Sequence, residues 1–253
     1  MIKDITDSIS AYGSALGMIS QHNLWRYIII PGLVSMGVMF LLVAGPVVWF
    51  ANSSVEQTVV NMIPWEGMKG VAEGAADVII FLLTTLIIFF LGKYIVLAVV
   101  SPFMGALSEK VEKIVTGKEV PNDSNFLVDL IRGIRVSLRN LVRELFFTLM
   151  FLLLNFIPII GSIAATVLTL GVEAFYAGFG NMDYTLERKR YSVSQSVIFV
   201  KQNRGVAIGN GLVFLGLLLI PVLGWFLAPA FATISATVMC LKKFSVENLV
   251  LNK

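Results

Sequence analysis

The chain alternates long uncharged apolar runs with shorter basic segments. The first run, residues 27–51, carries no charge over about 25 residues, enough for a tilted helix to cross a hydrocarbon layer about 30 Å thick. Arg26 stands at its entrance; Pro31 suits a first helical turn and Pro46 a kink or the far end. A second run, residues 78–107, is interrupted by Lys93 and by Ser101-Pro102 and is also long enough to span. The pattern then shortens. Residues 145–157 give about 13 apolar positions before Pro158 and Gly161, and residues 206–220 about 15 before Pro221 and Gly224. At 1.5 Å per residue these arms reach only about 20–22 Å, short of the hydrocarbon thickness. The two breaks are near copies, Ile157-Pro-Ile-Ile-Gly161 and Ile220-Pro-Val-Leu-Gly224, and each is followed by a further apolar arm, residues 162–180 and 225–241. Proline ends the first arm and glycine permits the tight turn. The predicted fold is therefore all-α and integral to a membrane. It has two transmembrane helices, about 27–51 and 78–107, and two re-entrant, partially penetrating helical hairpins, about 145–180 and 206–241. Four full spans joined by short turns are the alternative.

The polar segments predict cytoplasmic amphipathic helices. In residues 126–143, Arg132, Arg135, Arg139 and Arg143 recur at steps of three, four and four and so share one helical stripe. Leu127, Leu130, Ile134, Leu138 and Leu141 take the opposite face, a pattern suited to the membrane interface. The stripe reads as a headgroup anchor or as part of an anion vestibule. A further helix is predicted to begin at Ser192, with Gln195 completing a capping box, and to end at Gly205. Residues 52–77 carry Lys69 alone against Glu56, Glu66, Glu73 and Asp77, while residues 108–143, 183–205 and the end of the chain are basic. The basic-inside rule then puts 52–77 outside and both termini in the cytoplasm.

Composition sharpens this reading. Of 253 residues, 57% are hydrophobic and 14% charged, with a mean hydropathy of +0.85, against about 45–50% and 25% for soluble domains. A soluble core of this length cannot hide that much apolar surface. No polar linker divides the chain, which reads as one membrane domain, 1–253. Asp4 and Asp7 near its start argue against a cleaved signal peptide. Cys240 is the only cysteine, which excludes an internal disulfide framework and a cysteine-rich metal site. The basic pI near 9.0 is explained by Lys and Arg retained inside, without nucleic acid.

Catalytic signatures are missing: no zincin helix, phosphate-binding loop or nucleophile elbow occurs, and His22 has no histidine partner. The chain is expected to be no enzyme and to need no cofactor or metal. Three features suit transport. Arg26, in Asn23-Leu24-Trp25-Arg26, offers a multidentate cation at the mouth of a span. Helices restarting at Ser162 and Trp225 would aim positive N-terminal ends into the membrane. Lys93, Glu109, Glu144 and Glu173 lie in or beside apolar runs, where ionisable groups are paired or line a wet path.

The order and spacing of several segments resemble the CysZ sulfate permease family, within a wider group that includes the eukaryotic etoposide-induced ER proteins. The segments are Ser101-Pro-Phe-Met-Gly-Ala-Leu-Ser-Glu-Lys-Val-Glu112, Arg143-Glu-Leu with the turn ending at Gly161, Met182-Asp-Tyr184, and residues 220–239. The resemblance implies two spanning helices, two partly penetrating pairs, homo-oligomers, and sulfate uptake through a bacterial inner membrane that feeds cysteine synthesis. The family's sulfate-associated motif reads Gly-Leu-Arg, usually followed by a second basic residue. Here Asn23 and Trp25 replace its Gly and first Arg, while Leu24 and Arg26 match. The leading expectation is a passive permease or channel for sulfate or a similar small anion. Arg26 would collect the ion, the hairpins would line the route, and Glu109 would orient nearby basic groups. The alternative from another class is a membrane-organising adaptor that transports nothing.

Overall fold

The computed structural model describes residues 1–51, 69–118, 125–158, 160–220 and 222–251. Most of the expected outer segment (52–68), together with Ile159 and Pro221 of the two turns, lies outside the described residues. The described elements are all helical: α1 (Ile2–Gln21), α2 (Arg26–Ala51), α3 (Lys69–Thr116), α4 (Phe126–Leu152), a 3₁₀ turn (Leu153–Phe156), α5 (Ile160–Arg188), α6 (Val193–Gln202), α7 (Arg204–Leu218) and α8 (Leu223–Leu251). Four stretches are long and apolar enough to cross a membrane: Arg26–Pro46, Leu91–Thr116, Ile160–Arg188 and Leu223–Ser245. The chain divides into two compact units, one of Met1–Met36 with Tyr94–Lys253 and one of Gly37–Lys93.

Several expected boundaries shift. The Ser101-Pro102 interruption does not end a helix, because α3 runs through Pro102. Proline cannot donate to the carbonyl four residues back, and the Ser101 hydroxyl compensates. It lies 2.8 Å from the Ala98 carbonyl that Pro102 leaves free and 3.0 Å from the Asp129 carbonyl of α4, so its one proton serves either. Pro31 sits in the second turn of α2 rather than the first. The arginine-striped segment and the first apolar arm are one continuous helix, α4, capped by the Asn125 side chain on the Leu127 amide. Ser192 and Gln195 do form a reciprocal capping box on α6. That helix ends at Gln202 with Asn203 as its C-cap, not at Gly205. Gly205 instead belongs to α7, where an added Cβ would stand 2.7 Å from the carbonyl oxygen of Met1, the N-cap of α1.

The two Ile-Pro turns are built alike. α5 and α8 begin at Ile160 and Leu223, two residues before the expected Ser162 and Trp225. A Cβ on Gly161 would lie 1.8 Å from the Leu154 carbonyl oxygen, and one on Gly224 1.8 Å from that of Leu217. Each glycine is thus required by a carbonyl seven residues earlier, not by a left-handed dihedral; in the second turn the positive φ falls on Val222. At each break a side chain donates to the carbonyl of the last residue of the preceding α-helix. Asn155 Nδ2 donates to Leu152 O at 3.0 Å, and Trp225 Nε1 to Leu218 O at 3.2 Å. The tips are apolar and exposed, with Phe156 at 85% and Leu219 at 70%.

In the larger unit, α5 and α7 make the most extensive helix contact. Their backbones touch where side chains vanish. A Cβ on Gly178 would meet the Ala207 carbonyl oxygen at 1.9 Å, and one on Gly211 that of Ala174 at 1.8 Å. Small residues spaced by four allow this approach in lipid as in water. Beside it Asn181 Nδ2 donates to Asn210 Oδ1 at 2.9 Å, Asn210 Nδ2 to Ala232 O of α8 at 2.9 Å, and Tyr12 of α1 to Asn210 O at 2.7 Å. In the smaller unit Gly92 packs on Met39, whose sulfur would lie 3.2 Å from an added Cβ.

Gly178→Ala and Gly211→Ala must each push backbone against backbone, and each is expected to lower stability by about 1–3 kcal/mol or more. Gly171→Ala, with no atom within 4 Å of the new methyl, is expected to be neutral or stabilising by up to ~1 kcal/mol. Denaturation of the purified variants in detergent checks the contrast.

Candidate functional site

The polarity of α4 is turned inside out. α4 presents Leu127, Ile131, Ile134, Leu138, Val142 and Leu145 to the outside, each 48% exposed or more. Its opposite face buries Gly133, Val136, Ser137, Asn140, Glu144 and Thr148. The arginines follow the inner side in part, since Arg132 and Arg139 are half-buried while Arg135 and Arg143 stay exposed. Gly133 lets α4 approach α3, where an added Cβ would lie 2.3 Å from the Ser101 hydroxyl.

The segments that carry the family resemblance meet in this polar interior. Arg132 grips Asp183 of the Met182-Asp-Tyr184 segment with two bonds, Nε to Oδ2 at 3.1 Å and Nη2 to Oδ1 at 3.0 Å. It also donates to Ser196 and the Tyr191 carbonyl at 3.1 and 2.5 Å, and Glu187 stands 3.5 Å away. Burial alone would lower the Arg132 pKa, but the Asp183 carboxylate outweighs it and raises it. The neighbouring Tyr184 hydroxyl donates to Leu97 O at 2.7 Å. On α3, Ser101, Ser108 and Glu112 share a face. Ser108 joins Thr185 of α5 and Thr237 of α8, each at 3.0 Å. Glu112 accepts from Arg188 at 2.6 Å and from Lys189. Higher on α3, the Tyr94 hydroxyl donates to Glu144 Oε2 at 2.5 Å.

Each residue singled out from sequence has a place. Asn23 is exposed and holds φ +51°, a left-handed conformation that glycine adopts freely and asparagine tolerates better than most. Leu24 is fully buried and anchors the turn; Trp25 is 46% exposed. Arg26 opens α2 and lines a cleft of ≈ 370 Å³ with Tyr27, Ile30, Pro31, Phe103 and Ala106. Glu144 and Glu173 are buried on α4 and α5 at 0% and 7%, and Lys93, in the smaller unit, is buried at 3%. Glu109 is half-buried on α3 and Ser162 is exposed in the first turn of α5. The carboxylate that holds the Arg188–Lys189 pair is Glu112, one turn beyond Glu109.

Sequence reasoning did not single out Asp183, Tyr94 or the role of Glu112. Their partners lie 50–77 positions away along the chain, and a charged residue beside a basic cluster gives no sign of which element it will meet. Arg139 was visible only as part of a stripe. In the structure its guanidinium lies 4.4 Å over the Phe179 ring, and burial, then Arg143, lowers its pKa. Among the described residues no cluster of His, Cys, Asp and Glu suits a metal ion.

Comparison with known proteins agrees with these motifs. The family described as sulfate transporter CysZ/etoposide-induced protein 2.4 matches residues 11–229, and the chain belongs to it. Three relatives are each named sulfate transporter CysZ. The protein from Vibrio parahaemolyticus serotype O3:K6 is 30% identical over 149 residues, 58% of this chain and 60% of the relative's length. That from Pseudomonas fluorescens Pf0-1 is 28% identical over 172 residues, 66% and 68% of the two chains. That from Pseudomonas paraeruginosa is 25% identical over 242 residues, 94% and 96%.

Because Arg132 and Asp183 are shielded at 16% and 5% exposure, removing one partner strands the other. Asp183→Ala is expected to cost about 3–5 kcal/mol. Adding Arg132→Met should recover part of that loss, a coupling measured by a double-mutant cycle in detergent denaturation.

Proposed function

We propose that this member of the CysZ family carries sulfate, or a closely similar small oxyanion, through a bacterial inner membrane as a permease or channel rather than an enzyme. It would act as one membrane domain within a homo-oligomer, with both termini in the cytoplasm. The observation that carries the reading is the cleft at Arg26. Its walls are otherwise Tyr27, Ile30, Pro31, Phe103 and Ala106, so a single permanent cation with five N–H donors faces a mostly apolar space. Such walls strengthen the pull on a dianion. One guanidinium where the family motif places a basic pair binds more weakly, which suits an ion that must leave as well as enter. The names of the relatives supply the substrate.

The finer architecture belongs to the same proposal: α4–α5 and α7–α8 enter the bilayer and turn back inside it. Three observations support this. At 15 residues, α7 is only about 22 Å long. The tips expose Phe156, Ile157 and Ile160 in one turn and Leu219, Val222 and Leu223 in the other, surfaces that favour hydrocarbon over water. Finally, Asn155 and Trp225 satisfy carbonyls within the turns, as a lipid environment demands. Anions would pass the helix ends so placed, near Ser162, with Glu144, Glu173 and Glu109 shaping the field along the route.

In proteoliposomes, Arg26→Gln is expected to slow radiolabelled sulfate influx at least tenfold, and Arg26→Lys less. Influx at the wild-type rate in Arg26→Gln would remove the cleft from the route. No influx with the intact wild-type protein would overturn the permease reading. For the hairpins, Phe156→Cys and Leu219→Cys in a Cys240→Ala background are expected to resist a membrane-impermeant maleimide that labels Gln57→Cys. Rapid labelling of either tip from the periplasm would replace the hairpins by full spans.

A further inference from the structure

Three of the α4 arginines meet α5, and α5 answers them unequally. Arg132 finds the carboxylates of Asp183 and Glu187. Two turns on, Arg139 finds the face of Phe179. Its Nε and Nη1 groups, both shielded from the surface, meet no acceptor among the described residues. One turn further, the exposed Arg143 lies beside the Tyr176 hydroxyl. Among the described residues neither Arg139 nor Arg143 forms an ion pair. Donors withdrawn from water without a partner forfeit their full hydration, and protein interiors pair them. Two guanidiniums one turn apart also repel each other unless an anion joins them.

We infer that Arg139 and Arg143, with the Tyr176 hydroxyl, form a second oxyanion-binding site, which takes a tetrahedral anion of the sulfate or phosphate type. The planar fork of Arg139 matches two oxygens of such an ion. Phe179 covers one face of the guanidinium, so the ion is met at the edge. Arg143 adds charge and the tyrosine a neutral donor. Two sources fit this chemistry. One is free sulfate, in which case the inference rests on the permease reading and this is a further station on the route. The other is the phosphate of a lipid headgroup.

The test combines equilibrium dialysis of radiolabelled sulfate, in a phosphate-free maltoside detergent, with native mass spectrometry of retained phospholipid. Both use the full chain, with size-exclusion profiles and denaturation midpoints as controls for folding. Arg26→Gln is expected to keep saturable sulfate binding that the added Arg139→Gln weakens at least tenfold. Arg139→Lys, which keeps the charge but not the fork, should fall between. A phospholipid retained by wild type and lost in Arg139→Gln, with sulfate binding unchanged, supports the site and assigns it to a headgroup. Sulfate affinity and lipid retention both unchanged in a folded Arg139→Gln overturn the inference, even if wild-type sulfate influx stands. Should Arg139→Gln fail to fold, unchanged values in Arg139→Lys overturn it equally. Wild-type protein without any sulfate binding or influx sinks the permease reading, while the lipid measurement still decides the site.

Discussion

The larger unit depends on a backbone contact between α5 and α7, at the paired positions Gly178–Ala207 and Ala174–Gly211. Inside a membrane, apolar side chains gain nothing from leaving lipid for protein, so association relies on close packing and interhelical hydrogen bonds. This crossing supplies both. With no Cβ at Gly178 and Gly211 the helices come close enough for Asn181 to reach Asn210. Asn210 in turn holds the Ala232 carbonyl of α8 and receives Tyr12 of α1. One asparagine therefore ties four helices, and the first helix of the chain becomes part of the same body. Ser8 and Ser235 extend the tie, with Ser8 donating to Val206 O and Ser235 to Ser8 O.

That frame fixes what can be buried. Charges that lipid would not tolerate are turned inward and matched: Arg132 with Asp183, Glu112 with Arg188 and Lys189. Threonine and serine hydroxyls from α3, α5 and α8 join between them. The apolar side chains of α4 stay outside, where a bilayer or another copy of the chain would cover them. The same inversion makes the arginine face chemically useful. Where α5 offers a carboxylate the arginine is structural; where it offers a phenyl ring the guanidinium keeps its donors for something else.

The repeated Ile-Pro turns show one local solution used twice. In each, a carbonyl from the end of the preceding arm lies against the first turn of the next helix, at a distance only glycine accepts. In each, a side chain from beyond the helix end donates to that helix's last carbonyl. The likeness of the two sequences was plain, but the reason for the glycines was not. They answer a steric contact with a residue seven positions back, rather than the backbone freedom that a turn glycine usually provides.

Much of this protein was settled by sequence alone. Hydrophobic run lengths fixed an all-helical chain with membrane-crossing stretches, because the need to satisfy every backbone group in lipid leaves few other structures. The capping box at Ser192 and Gln195 and the arginine stripe at steps of three and four were local, and both hold. Arg26 stood out in the sequence because a cation at the mouth of a span is conspicuous against apolar neighbours, and it lines the cleft beside Pro31 and Phe103. Tertiary structure alone decided which charges meet. Asp183 reads in the sequence as one acid near a basic cluster, and Tyr94 as one more aromatic in an apolar run. Whether Arg132 would face lipid headgroups or a carboxylate depended on how α4 and α5 cross. Periodicity defines the faces of a helix, but which face is buried is set by the neighbour, and that neighbour comes from a distant part of the chain.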